Sequence, residues 1–216
     1  TKDDLRNQPD QYISDDRAKE SLIPNRTGGS TGKPLHFYMD RYMVEYYEAA
    51  RWRGLSWWGI TPGSRSVMVW GNPLELSAAQ QRKYQQKERW LKNRITISAY
   101  ELSPERLDQI VQTINAFKPE YLYGYATALT ALAQMMRKQN KRLNFRPKCI
   151  SSTSESLHPW QKELLEDVFG CGVANEYGAR DAGILAYSCP AGGMHLTAEN
   201  AWMEFLDPVT GEEVEP

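Results

Sequence analysis

The chain has 216 residues, 41% apolar and 25% charged, with 26 Lys and Arg against 27 Asp and Glu and three cysteines. At roughly 100–200 residues per domain this allows one large domain or two small ones, and a chain of this size buries about 70% of its unfolded surface without disulfides or a metal. The formal net charge of -1 excludes a globally basic nucleic-acid binder, and no apolar run approaches the ~20 residues of a membrane span.

The chain opens on Thr1-Lys2-Asp3-Asp4 without a methionine, and no leader with a basic start and apolar middle is read ahead of the first hydrophobic segment. Cys149, Cys171 and Cys189 form no C-x-x-C pair. An odd count of this kind fits reduced, buried or idle thiols, so the expectation is a soluble, cytoplasmic protein.

The first informative segment in chain order is Arg26-Thr27-Gly28-Gly29-Ser30-Thr31-Gly32-Lys33-Pro34. Its glycines let the backbone approach a ligand closely, while its hydroxyls and lysine supply donors for phosphate oxygens. It is not a Walker A loop, because Thr27 and Pro34 stand where that motif needs Gly and Ser or Thr. Leu35-His36-Phe37-Tyr38 reads as a strand, whereas a helix follows a Walker A loop. A plain Gly/Ser linker is the competing reading, and it explains neither Lys33 nor the flanking strand. Trp52, Trp57 and Trp58 near one helix end read as packing.

Val67-Met68-Val69-Trp70 behind Pro62-Gly63 reads as a strand covered on both faces. Arg82 to Arg94 is basic, with Glu88 interspersed; it is either a solvated helix side or an RNA-binding face. Leu107, Ile110, Val111, Ile114 and Phe117 recur at helical spacing, with Ser103 as the expected cap and Pro104 as the first helical residue. Tyr121-Leu122-Tyr123 reads as a strand ended by Gly124, and Leu129, Leu132, Ala133 and Met136 as an amphipathic helix. Cys149-Ile150-Ser151-Ser152 is the next strand. Leu157, Trp160, Leu164, Leu165 and Val168 give a helix stopped by Gly170, and a strand through Val173 leads into Asn175-Glu176-Tyr177-Gly178. Ala201 to Leu206 reads as a strand, followed by a Pro/Gly turn and a return strand broken off at the end of the chain. The expected fold is α/β: a mainly parallel sheet flanked by helices, with a small β region at the C-terminal end. Ligands of such sheets bind outside the carboxyl ends of the strands.

Thr27 to Pro34 resembles the phosphate-binding signature of the adenylate-forming superfamily, which contains acyl-CoA synthetases, luciferases and peptide-synthetase adenylation domains. Tyr121-Leu122-Tyr123-Gly124-Tyr125, Ser152-Thr153-Ser154-Glu155, Glu176-Tyr177-Gly178-Ala179-Arg180-Asp181 and Cys189-Pro190-Ala191-Gly192-Gly193-Met194-His195 follow in the order found in its phenylacetate-coenzyme A ligase-like branch. That branch includes relatives linked to capsular polysaccharide synthesis.

The resemblance implies ATP-dependent activation of a small carboxylic acid, an aryl acid being the expectation, to acyl-AMP, then thioester formation with coenzyme A. Thr27, Gly28, Gly29, Ser30, Thr31, Gly32 and Lys33 would close over the ATP phosphates. Ser154, Glu155 and Ser156 would line the adenine, Tyr177 would stack on it, and the main chain around Glu176 and Gly178 would receive its amino group. Asp181 would hold Mg²⁺ where the superfamily usually has Glu, and Arg180 stands where Thr or Ser is commoner. Arg180 would pair with the substrate carboxylate or α-phosphate, or form a structural salt bridge to Glu176 or Asp181. Tyr123, Gly124, Tyr125 and Ala179 would border the acyl pocket, core packing being the other explanation of the tyrosines. Lys33, Arg180 and Asp181 are the implied catalytic residues. Cys189 and His195 form a C-x5-H pair that resembles half of a structural Zn²⁺ site, completed in some relatives by a later Cys-x-Cys; ordinary thiol and surface histidine are the alternative. The ribose-binding Asp, the hinge and the C-terminal lysine of the superfamily have no counterpart here. The expectation is therefore a partial N-terminal domain over residues 1–216 with little ligase activity of its own. Acyl or nucleotidyl transfer in cell-surface polysaccharide synthesis, and a degenerate nucleotide-binding scaffold, remain the rival readings.

Overall fold

A computed structural model describes residues 2–27, 34–71 and 77–214. The chain divides into two compact units, one built from Thr1–Ala50, Gly178–Ala186 and Leu196–Pro216, the other from Arg51–Tyr177 and Tyr187–His195. In chain order the regular elements are α1 (Lys2–Asn7), β1 (Ile23–Arg26), β2 (His36–Met39), α2 (Arg41–Ser56), β3 (Ser66–Trp70), α3 (Ala78–Lys92), β4 (Arg94–Ser98), α4 (Leu107–Phe117), β5 (Tyr121–Tyr125), α5 (Ala126–Lys138), β6 (Cys149–Thr153), α6 (Pro159–Phe169), β7 (Gly172–Ala179), β8 (Gly183–Ser188) and β9 (Met194–Leu196). Among the described residues no helix is long and apolar enough to cross a membrane.

The larger unit is the expected α/β layer. Its strands run in the order β4-β3-β5-β6-β7, and the pairs β3/β4, β3/β5, β5/β6 and β6/β7 are all parallel. Alternation of side chains divides its faces. Val67, Val69, Leu122, Ile150 and Val173 point one way, into the stripes of α4 (Leu107, Ile110, Ile114), α5 (Leu129, Leu132, Met136) and α6 (Leu164, Leu165, Val168). The register places Met68, Tyr123, Ser151 and Ala174 in one row of the opposite face, and Tyr125, Thr153 and Glu176 in the next. This second face is polar and aromatic. Trp58 covers part of it, its Nε1 donating to the Ser188 carbonyl at 2.8 Å, in keeping with a packing role.

Several boundaries differ from those read off the sequence. Gly124 lies inside β5, because a Cβ there would stand 2.5 Å from the Val69 carbonyl oxygen: the glycine permits close approach of β3 and does not end the strand. The helix over Leu107–Phe117 starts after Arg106, and Ser103 closes a turn by accepting from the Arg106 amide at 3.2 Å instead of capping the helix. Trp160 is exposed on the first turn of α6. The basic stretch is α3, and Arg94 opens β4, a strand absent from the sequence-based order. Glu88 is not on a solvated side; it is buried against Lys92 at 2.9 Å and Arg94 at 3.6 Å. The strand expected from Ala201 to Leu206 is reduced to a single bridge, Leu206 with Glu213. Its turn does form, with the Asp207 carboxylate accepting from the amides of Val209 and Thr210, both at 2.8 Å. Trp202 beside it is 91% exposed, so no buried face pins a longer register.

Candidate functional site

In the larger unit the strand order changes direction at β3: β4 lies on one side of it and β5 on the other. Such a switch point opens a crevice outside the carboxyl ends of the strands. Those ends carry Trp70 and Tyr125, whose rings stack with centroids 4.0 Å apart, and Tyr123, 5.9 Å from Trp70 and nearly parallel to it. Two guanidinium groups flank Tyr123, Arg51 at 5.5 Å and Arg94 at 6.0 Å from its ring centre.

Glu176 ties this face together. Its carboxylate accepts from the Tyr123 hydroxyl at 2.8 Å, from Thr153 Oγ1 at 2.9 Å and from Arg51 Nε at 3.3 Å, with the Glu176 side chain only 1% exposed. A buried carboxylate needs such a set of donors, because desolvation without a paired charge costs several kcal/mol. The side chain of Glu176 is thus a structural anchor. The next residue on β7, Tyr177, is 60% exposed, so its ring is available for stacking. Tyr123 is buried, whereas Tyr125 is half-buried at the strand end.

The loop after β6 starts with Ser154 in the left-handed region at φ 68°, a conformation that costs a non-glycine residue of order 1 kcal/mol. The turn delivers Glu155 to the start of α5, where its Oε2 accepts from Thr127 N at 2.8 Å and Thr127 Oγ1 at 2.7 Å. A carboxylate on the first turn of a helix satisfies orphan amides and complements the helix dipole. The Glu155 side chain therefore holds the loop, and the Ser154–Ser156 backbone is what such a loop can offer to a base.

In the smaller unit β1 and β2 form an antiparallel hairpin with Arg26 opposite His36. Thr27 extends it: its amide donates to the Leu35 carbonyl at 2.9 Å and its Oγ1 accepts from Leu35 N at 3.0 Å. Gly28, Gly29, Ser30, Thr31, Gly32 and Lys33 lie outside the described residues. Between β7 and β8 the chain turns through Ala179-Arg180-Asp181-Ala182, closed by the Ala182 amide on the Ala179 carbonyl at 3.3 Å. Gly178 is required there, since a Cβ would fall 2.3 Å from the Gly183 carbonyl oxygen. Arg180 Nη1 donates to the Arg26 carbonyl at 3.2 Å, which brings the turn to the base of the glycine-rich segment. The guanidinium that Glu176 pairs with is that of Arg51, not Arg180. Asp181 is exposed and borders a cleft of about 640 Å³ together with His36, Tyr38, Asp40 and Asn200.

The Cys189–His195 loop in the larger unit is closed by the Cys189 amide on the Gly193 carbonyl at 2.9 Å. The hydrogen bond with His195, helped by the amides of Gly193 and Ala191, pulls the Cys189 thiol down to about 7. The structure thus brings the two residues together, but two ligands do not close a tetrahedral zinc site, and among the described residues no group of three or more His, Cys, Asp or Glu can hold a metal. Cys149 and Cys171 are the inert thiols expected of them: burial pushes them up to about 12 and about 11. A hard cation is a different case. Mg²⁺ is held by one or two carboxylates completed by water and substrate phosphates, and an exposed carboxylate such as that of Asp181 suits that kind of ligation.

Trp70, Arg51 and Thr153 belong to this aromatic and polar face, and the sequence reading assigns none of them a role there. Trp70 had a signal, since it ends an apolar strand and precedes Gly71. Arg51 had none, being 125 residues from Glu176.

The chain matches no protein-family profile. Protein CapK of Staphylococcus aureus is 32% identical over 188 residues, which are 84% of this chain and 40% of that protein. An open conformation of 2-hydroxyisobutyryl-CoA ligase in complex with 2-HIB-AMP and CoA superimposes over 99% of this chain and 51% of its own, with a TM-score of 0.71 and 19% identity. ATP-bound MatB from Rhodopseudomonas palustris covers 94% of this chain and 39% of its own, with a TM-score of 0.58 and 17% identity. The chain spans about half the length of the ligase and less of the other two. It has the fold of the adenylate-forming acyl-CoA ligases, the superfamily that its motifs resemble.

Proposed function

We propose that the whole protein activates a carboxylic acid with ATP to acyl-AMP and passes the acyl group to coenzyme A, and that residues 1–216 supply the nucleotide and acyl sides of the site. The observation that carries this reading is the placement of two ordered motifs at carboxyl strand ends. Ser154-Glu155-Ser156 follows β6 in a strained, helix-anchored turn, and the exposed Tyr177 follows the buried Glu176 on β7. The likeness to ligases solved with an acyl adenylate, CoA and ATP supports it.

The chemistry joins two anions and needs no protein nucleophile. The task of the chain is to set a carboxylate in line with the α-phosphate and to neutralise both. Thr27 to Lys33 supplies amides, hydroxyls and an ammonium for the departing pyrophosphate. Arg180 holds the turn of β7 against the hairpin base, and Asp181 would hold Mg²⁺, which supplies charge neutralisation at the phosphates. Tyr125 and Trp70 give the crevice flat aromatic walls, which favour an aryl acid. Exchange of labelled pyrophosphate into ATP, run on the whole protein with a panel of acids, tests the proposal. Exchange that depends on one class of acid supports it; ATP binding without exchange under any acid refutes it.

That second outcome would favour a nucleotide-binding scaffold without turnover. One observation points that way: the Arg180 guanidinium is engaged by a backbone carbonyl.

A further inference from the structure

The outward face of α3 has no part in the site described above. Its inner side is settled: Glu88 is buried, and the Gln85 side-chain amide both donates to the Thr96 carbonyl at 3.2 Å and accepts from the Thr96 amide at 3.4 Å, so it binds the edge strand β4. Lys83, Gln86, Lys87, Trp90 and Leu91 recur at three- and four-residue spacing on the other side, and all are exposed. Trp90 is 85% and Leu91 72% exposed, an unusual pair to leave adjacent in water. Arg82, Lys83 and Lys87 have no carboxylate partner among the described residues, and the one acid of the helix, Glu88, is matched by Lys92 and Arg94. A chain of net charge -1 therefore presents a local cationic face around an apolar tip.

We propose that this face docks on an anionic phospholipid surface. Lysines that spread their stems beside a Trp–Leu wedge, with the ammonium groups at headgroup level, suit such an interface. An acidic protein partner fits less well, because lysine is depleted from the cores of protein interfaces. RNA fits less well too, because base stacking uses an aromatic plane and makes nothing of Leu91.

The test is co-sedimentation of the 216-residue chain with vesicles of equimolar phosphatidylserine and phosphatidylcholine, with pure phosphatidylcholine vesicles, and with polyuridylate, at about 0.1 M salt. The chain should pellet with the anionic vesicles and not with the neutral ones. Each cation near such a surface is worth about fivefold in partitioning, so Lys83→Gln with Lys87→Gln should weaken binding roughly 25-fold. Trp90→Ala with Leu91→Ser should abolish it at unchanged urea midpoint, as all four positions are exposed. Equal binding to neutral vesicles, no vesicle binding, capture of polyuridylate alone, or undiminished binding by the lysine variant would each overturn the proposal.

Discussion

Replacing Glu176 by Ala removes the one acceptor shared by Tyr123, Thr153 and Arg51. The Arg51 side chain is 16% exposed and its partner 1%, so this pair lies in the regime where loss of one member costs about 3–5 kcal/mol, chiefly the charge left behind. Glu176→Gln keeps an oxygen for the two hydroxyls and loses only the ionic component, so it should cost less, about 1–3 kcal/mol. Urea unfolding followed by tryptophan fluorescence reads both. With a slope of about 2 kcal/mol per molar, Glu176→Ala should lower the midpoint by roughly 2 M and Glu176→Gln by about 0.5–1.5 M. A fall worth under about 1 kcal/mol for the alanine variant at unchanged slope would refute the view that this carboxylate holds the polar face of the sheet.

Gly124→Ala should destabilise by about 1–3 kcal/mol in the same assay, since the new methyl meets a fixed backbone carbonyl at 2.5 Å; an unchanged midpoint would show that β3 and β5 can part freely. Iodoacetamide at pH 7 should modify Cys189 ahead of Cys149 and Cys171, and His195→Ala should slow that reaction roughly tenfold by letting the thiol rise from about 7 toward its ordinary value. A Cys189 rate that ignores the loss of His195 would contradict this. The folded-state value of about 12 for Cys149 lies above its ordinary 9.0, so thiolate formation favours the unfolded chain. Its contribution is complete below pH 9 and is lost as pH rises toward 12, and Cys149→Ala should flatten the stability profile in that window by a few kcal/mol. A parallel profile for the two proteins would contradict the assignment.

The elements whose apolar residues recur over three turns were legible in the sequence: α4 and α5 bury the stripe that their spacing announces, and α6 buries Leu164, Leu165 and Val168 but leaves Trp160 exposed. Their strands were legible as well, because strands covered on both faces are short apolar runs. β4 was not, since Arg94-Ile95-Thr96-Ile97-Ser98 mixes charge and hydroxyl with only two isoleucines and follows a basic helix without a turn signal. The motifs after β6 and on β7 fall at carboxyl strand ends, yet the contacts of their side chains are set by the tertiary fold. Glu155 looks from its motif like a ligand residue and is the cap of α5; Glu176, which the resemblance sets beside an adenine, anchors the polar face of the sheet with its side chain. The partner of Glu155 lies 28 residues away and those of Glu176 lie 23, 53 and 125 residues away, and no periodicity reports contacts of that range.

Calorimetric titration of ATP with Mg²⁺ into the chain tests the nucleotide site most directly. The account predicts saturable one-to-one binding, weakened about tenfold by Tyr177→Ala, as loss of a base–aromatic stack of ~1–3 kcal/mol requires. Absence of binding heat, or an affinity indifferent to Tyr177, would contradict it.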